Sequence, residues 1–215
     1  MARRSDHTRK ELWRLAIDAS RKIVEKEGLR GLRARQIARD IGYTIGTLYN
    51  LFEDLDDLIM HMNGETLDQL MEECSKVELT QNPNMDLERL VHCYLSFTHE
   101  NPKVWNAVFE HKLPENRPVP EWYSEKVSKL LHIIERALAP ILSGRSDDEI
   151  HQHARILWMS LFGMTVLEGS GRLQEGETSL MLARTLIKTY IDGLKNGPQG
   201  DTSDQPMNHG DVAKC

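Results

Sequence analysis

His151 and His153 form an H-x-H pair, and His92 and His99 stand one heptad apart, spacings that invite a metal reading. On a helix, positions i and i+2 point about 200° apart, so His151 and His153 do not close on one ion. Cys74, Cys93 and Cys215 are odd in number and lack metal-ligand spacing. The first two read as small hydrophobes filling space in a reducing compartment, with redox sensing as the alternative. Neither a metal nor a cofactor is therefore expected. Glu110 and His111 pair an acid with a base, but no third partner can be identified. There is no P-loop, no G-x-G-x-x-G after a strand, no nucleophile elbow and no H-E-x-x-H. Nucleotide hydrolysis, dinucleotide chemistry, esterase-like acyl transfer and zinc proteolysis thus lack their anchors.

A second set of residues is suited to binding. Thr44, Thr47, Tyr49 and Asn50 project hydroxyls and an amide from the helical face opposite Leu48 and Phe52, and Ile45 lies beside them. Gly46 would let the backbone of that helix approach a partner closely. The partner is indicated by charge. Residues 1–50 hold 12 Lys/Arg against 6 acids, whereas the remainder holds 15 against 27, so a net charge of −6 conceals a basic head on an acidic body. Such a head suits a polyanion. The acids Glu53, Asp54, Asp56 and Asp57 follow at once, and they read as helix-start chemistry: Asp54 at the N-cap, Asp57 at N3, Asp56 in the first turn.

The elements that position these residues are all helical, and no run of alternating β-branched residues appears. Leu12, Leu15, Ala16, Ala19 and Ile23 form the stripe of a first helix that stops at Gly28. A short second helix carries Ile37, Ala38 and Ile41 and closes at Gly42. Thr44 caps the third, its hydroxyl accepting from the N–H of Gly46 or Thr47. Longer helices follow, broken at TQNPN, LPENRPVPE and SGRSD, where Ser146 and Glu149 make a capping box. The expected domains are a helix-turn-helix head over 1–53, a helical body over 54–196 and a disordered tail over 197–215. The nearly apolar run Ile156 to Leu167 has 12 residues, short of the roughly 20 needed to cross a bilayer. No membrane association is expected, and the setting is cytoplasmic.

The ordered set Ala19, Gly28, Arg35, Ile37-Ala38, Gly42, Gly46, Thr47, Leu48-Tyr49, Phe52 and Leu58 resembles the DNA-binding domain of the tetracycline repressor (TetR) family of transcriptional regulators. That resemblance implies a three-helix DNA-binding head, a helical ligand-binding body and a homodimer. It implies that Thr47 and Tyr49 hold phosphates and that Arg35 reaches phosphate or guanine, with Ile45 and Asn50 as candidates for base contact. Thr44 and Gly46 complete the expected DNA-binding set. The sequence departs from the pattern at Arg33, where Ser or Thr often caps the second helix, at Val24, and at Leu55, which replaces a common phosphate-binding Lys. With Leu55 uncharged and three Asp beside it, weak non-specific DNA binding is expected.

The body resembles the C-terminal domain of a TetR subgroup with a Trp-His-Gly element: Trp158 and Gly163 match, and Phe162 stands at the His position. Phe97, Trp105, Phe109, Met159 and Phe162 are the candidate lining of an apolar effector cavity, Met164 standing near them. The two long helices 150–167 and 178–194 are expected to pair with their mates in a homodimer on a palindromic double-stranded DNA operator. The reading is a ligand-responsive transcriptional regulator, most naturally a repressor released by a small apolar effector. The alternative is a helical enzyme that transforms a small molecule and carries an incidental basic head.

Overall fold

The computed structural model describes residues 7–196, and over them the chain is a succession of helices. These are α1 (Arg9–Glu27), a 3-10 turn (Leu29–Gly31), α2 (Ala34–Asp40), α3 (Ile45–Tyr49), α4 (Leu55–Ser75), α5 (Pro83–Glu100), α6 (Pro102–Glu110), α7 (Glu121–Leu138), α8 (Asp147–Gly169) and α9 (Ser179–Asn196). Arg3 and Arg4 of the basic head, the tail 197–215 and Cys215 lie outside the described residues.

Local chemistry accounts for the helix ends. The Thr8 hydroxyl and the Glu11 carboxylate form a reciprocal capping box that starts α1, and Ser146 and Glu149 do the same for α8. Thr44 caps α3 by accepting from the N–H of Thr47 at 3.2 Å. Asp54 caps α4, accepting from the N–H of Asp57 at 2.8 Å. Gly28 ends α1 with φ 75°, a left-handed conformation that side chains rarely adopt. Arg33 stands at the N-cap of α2 without a side-chain cap. Its guanidinium instead donates to the carbonyls of Arg30 at 2.6 Å and Leu32 at 2.8 Å, tying down the preceding turn.

Two cores form. The first gathers Ile17, Val24, Ile37, Leu48 and Phe52 of α1, α2 and the α3 region around Leu58 and Met62 of α4, and it takes in Val104 and Ala107 of α6. The second lies between α4, α5, α6, α7, α8 and α9. The apolar face of α1 is centred one position later than its Leu/Ala stripe suggests. Ala16, Ile17, Ser20, Ile23 and Val24 are buried, while Leu12, Leu15 and Ala19 are only half-buried. Ser20 is tolerated there because its hydroxyl donates to the carbonyl of Ala16 at 2.7 Å.

The head core therefore does not stop at residue 53. It continues through the first turns of α4 and into α6, which lies across both α1 and α4. Asn63 of α4 is fully buried and donates through Nδ2 to the carbonyl of Ala107 at 3.1 Å. Gly64 sits where an added Cβ would meet the Trp122 ring at 2.8 Å, so α7 can approach α4 only at this glycine.

Candidate functional site

Around α3 the polar residues are split between cap and surface. Thr44 is exposed, but its hydroxyl is committed to the helix start and lies 3.1 Å from the Thr47 hydroxyl. Thr47 and Ile45 are half-buried. Gly46, Tyr49 and Asn50 are exposed, Tyr49 at 47% despite its large ring. An added Cβ at Gly46 would make only an ordinary 3.7 Å contact with Thr44, so packing within the chain does not require glycine there. Arg35 stands exposed on α2, together with Arg39. Beside this face the Tyr43 hydroxyl lies 2.9 Å from His7 Nδ1, a pair that spacing could not reveal because it closes over 36 positions.

The acidic run is matched from within the chain. Arg117, in the segment between α6 and α7, donates to Asp54 at 2.7 Å and to Glu53 at 3.1 Å. His111 Nε2 lies 2.9 Å from Asp56, and the backbone N–H of Glu53 donates to Asp57 at 3.1 Å. Burial pushes the Asp54 carboxyl up, but the N–H of Asp57 and the Arg117 guanidinium outweigh it and hold the group below its ordinary value. The expectation of three Asp repelling a phosphate backbone is corrected by these partners. The Arg117 guanidinium offsets part of this charge, and the contacts of Arg117 and His111 tie the head to the body.

Behind the head lie two adjoining cavities in the second core. One is walled by Leu67, Trp105, Phe109, Tyr123, Leu130 and Trp158. The other, almost wholly apolar, is walled by residues of α4, α5, α7, α8 and α9 that include Leu70, Cys74, Tyr94, Leu157, Trp158 and Leu186. Trp158 and Leu130 are common to both. Trp105 and Phe109 thus stand at the cavity wall. Phe162 packs on Phe109 with ring centres 3.9 Å apart and stacks against Trp158. Phe97 is buried behind Trp105, edge-on to it at 6.0 Å. Met159 lines neither cavity. It is 48% exposed on the outer side of α8, because the inner side of that helix is taken by Ala154, Leu157 and Trp158. No charged side chain lines either cavity. The Tyr94 hydroxyl, 3.1 Å from Thr165, is held up at about 12 by burial. The aliphatic residues of α4, α5 and α9 in the second cavity's wall carry no signal beyond helical periodicity, which marks core and cavity alike.

The histidines are drawn to separate partners. His151 Nδ1 lies 2.7 Å from Glu135 and His153 Nδ1 lies 2.6 Å from the Tyr190 hydroxyl. Among the described residues, no group of three or more His, Cys, Asp or Glu side chains is arranged to hold a metal, and no helix is long and apolar enough to cross a membrane.

Comparison with known proteins gives a consistent picture. Residues 87–190 match the model of the tetracyclin repressor-like, C-terminal domain. An uncharacterized HTH-type transcriptional regulator, YobS of Bacillus subtilis, is 24% identical over 183 residues, covering 84% of this chain and 91% of that protein. A protein of unknown function from Rhodococcus sp. RHA1 superposes with a TM-score of 0.71 at 18% identity, covering 90% of this chain and all (100%) of the other. The transcriptional regulator FadR of Bacillus subtilis, solved in complex with stearoyl-CoA, superposes with a TM-score of 0.60 at 14% identity, covering 87% and 100% of the two chains.

Proposed function

We propose that the chain, whose residues 87–190 match the tetracyclin repressor-like C-terminal domain, is a ligand-responsive regulator of the tetracycline repressor type that holds a palindromic operator as a homodimer and releases it when an apolar effector enters the body. One observation carries this reading. Helix α6 places Val104 and Ala107 in the head core and Trp105 and Phe109 at the cavity wall, so one nine-residue helix belongs to both compartments. A ligand that displaces Trp105 or Phe109 also moves the surface on which α1 and α4 rest. If it binds the body better in one head spacing than another, linkage requires that DNA affinity change by the same factor.

On DNA, Arg35, Thr47 and Tyr49 hold phosphates, Ile45 and Asn50 face base edges, and Thr44 and Gly46 shape the helix start that enters the major groove. Two such heads read half-sites about 34–36 Å apart. The uncharged cavity walls favour an apolar or aromatic effector, since a buried charge without a partner is costly. FadR, a protein of the same fold, was solved with stearoyl-CoA, a molecule that carries a long apolar acyl chain. A place in the Trp-His-Gly subgroup rests on Trp158 and Gly163 alone. Cytoplasmic residence and the absence of catalysis follow from this role.

The test is to select operator fragments from genomic DNA with the purified chain, then titrate them with apolar compounds found by thermal shift. Release of the selected DNA by a compound that raises Tm supports the reading. It fails if no fragment is enriched over random DNA, or if only highly charged metabolites stabilise the protein.

A further inference from the structure

Cys74 and Cys93 lie side by side. Cys74 ends the last full turn of α4 and Cys93 lies near the middle of α5, 19 positions away, yet the two sulfurs approach to 3.5 Å, with the Cys74 thiol donating to the Cys93 sulfur. Both are free thiols. Cys74 is 8% exposed and forms part of the wall of the apolar cavity between α4, α5, α7, α8 and α9, whereas Cys93 is half-buried and can be reached from outside. A sulfur pair with one reachable member and one sheltered member is the arrangement that peroxide-reactive dithiols need.

We propose that Cys74 and Cys93 are a redox-active dithiol, in which Cys93 reduces a hydroperoxide and Cys74 resolves the product into an intrachain disulfide that pins the end of α4 to α5.

The electrostatics set the direction. Hydrogen-bond donation from Cys74 pulls the Cys93 thiol below its ordinary value, opposed by burial and by Glu73 and assisted by the Lys76 ammonium. The same hydrogen bond, together with burial, pushes Cys74 up. Cys93 is therefore the more acidic of the two thiols and the nucleophile of the first step, and Cys74 is the resolving thiol. In the first step the Cys93 sulfur attacks one oxygen of the hydroperoxide. The S–O bond forms, the O–O bond breaks, and the departing alkoxide takes a proton to leave as alcohol, or as water from hydrogen peroxide. In the second step the Cys74 sulfur attacks the sulfenic sulfur. The S–S bond forms, the S–O bond breaks, and hydroxide leaves with the Cys74 proton as water. Two thiols and one hydroperoxide give one disulfide, one alcohol and one water. The sulfurs must close from 3.5 Å to about 2.05 Å. Cys74 is one residue from the end of α4, where a helix yields easily.

The bond would pull a wall residue of the effector cavity toward α5, on the helix whose other end carries Asp54 and the head. The chemistry does not depend on DNA binding, and it is measured without DNA, so it can succeed or fail apart from the regulatory reading.

The full chain carrying Cys215→Ser is exposed to equimolar hydrogen peroxide or cumene hydroperoxide. The expected products are an intact mass lower by two hydrogens, a crosslinked peptide joining residues 74 and 93, and full reversal by dithiothreitol. In Cys74→Ser, dimedone should trap a sulfenic acid on Cys93. Cys93→Ser should react at least about ten-fold more slowly, because only the buried, raised thiol remains. Circular dichroism confirms that each variant is folded, and dimedone competition in the otherwise unaltered pair gives the same information without either substitution. The proposal is overturned if both thiols survive while added glutathione is consumed, if the disulfide is between chains, or if Cys93→Ser oxidises as fast as its parent.

Discussion

At the scale of single residues, the DNA-facing set separates into contacts and supports. Tyr49 and Arg35 are exposed and belong to neither core, so Tyr49→Ala or Arg35→Ala should lower DNA affinity while leaving Tm unchanged. Each lost phosphate contact should also reduce the logarithmic salt slope by about 1. Gel-shift titration at three salt concentrations measures both quantities, and unchanged affinity in both variants would remove the head from the phosphates. Gly46 gives a sharper case. Its neighbours leave room for a methyl group, so Gly46→Ala should fold as stably as the parent, or slightly better. If the glycine is there for close approach to the duplex, the same variant should bind operator several-fold more weakly. Equal operator affinity would assign Gly46 to chance. The exposure of Gly46 and Tyr49 was legible in the sequence because the turn glycines, the Thr cap and the Leu48/Phe52 face leave only one side of α3 free. Met159 was not, because α8 is apolar on both sides and periodicity cannot say which side faces inward.

At the scale of elements, the start of α4 is where the head is fixed to the body, and its partners come from far along the chain. Arg117 reaches Asp54 across 63 positions and His111 reaches Asp56 across 55, so no local pattern could have announced them. The cap itself was readable, since Asp54 and Asp57 sit at fixed offsets from a helix start. One turn further, His61 stacks flat on Trp122 of α7 at 4.7 Å and lies edge-on to Trp13 of α1 at 5.4 Å. Burial among these rings lowers its pKa below the ordinary 6.5, with Asp57 opposing and Lys126 assisting. A base that holds its proton less tightly in the folded state contributes stability that is fully present at higher pH and is lost as pH falls from 6.5 toward the depressed value. Asp54, a carboxylate held below its ordinary value, acts in the same sense at lower pH. Tm should therefore decline as pH is lowered through 6.5, and His61→Gln should flatten that part of the profile. A decline of equal steepness in the variant would place the responsible proton elsewhere. Asp54→Ala should cost about 0.5–2 kcal/mol for the lost cap. Arg117→Ala should leave the acids unpaired and so lower affinity for random-sequence DNA.

At the scale of the whole molecule, what remains unexplained by one chain is the outer face of α8 and α9. Ile156 is 37% exposed, Met159 48%, Val166 44% and Met181 56%, and among the described residues no element covers them. Gly163 lies among the α8 positions, and a Cβ there would meet nothing within 4 Å, leaving a flat place at which a second helix could approach. Apolar faces on two long neighbouring helices are what an isologous four-helix interface buries, and a stable one needs about 800 Å² from each partner. The 24.7 kDa chain should therefore sediment as a dimer at micromolar concentration. Where to place a charge to test this differs from what α9 periodicity suggests. Ile187 is 6% exposed and belongs to the body core, so a charge there would unfold the chain and leave its association untested; Leu186 is half-buried at the cavity wall. Met159→Glu is the discriminating variant, because its side chain is at the surface of the protomer. It should give a monomer whose far-ultraviolet circular dichroism matches the parent. Operator binding should fall steeply and lose its dependence on the second half-site, since two heads no longer share one dimer. A dimer that persists in both Met159→Glu and Ile156→Glu would move the interface off the outer face of α8, and the spacing of the two heads would have to be set by another surface.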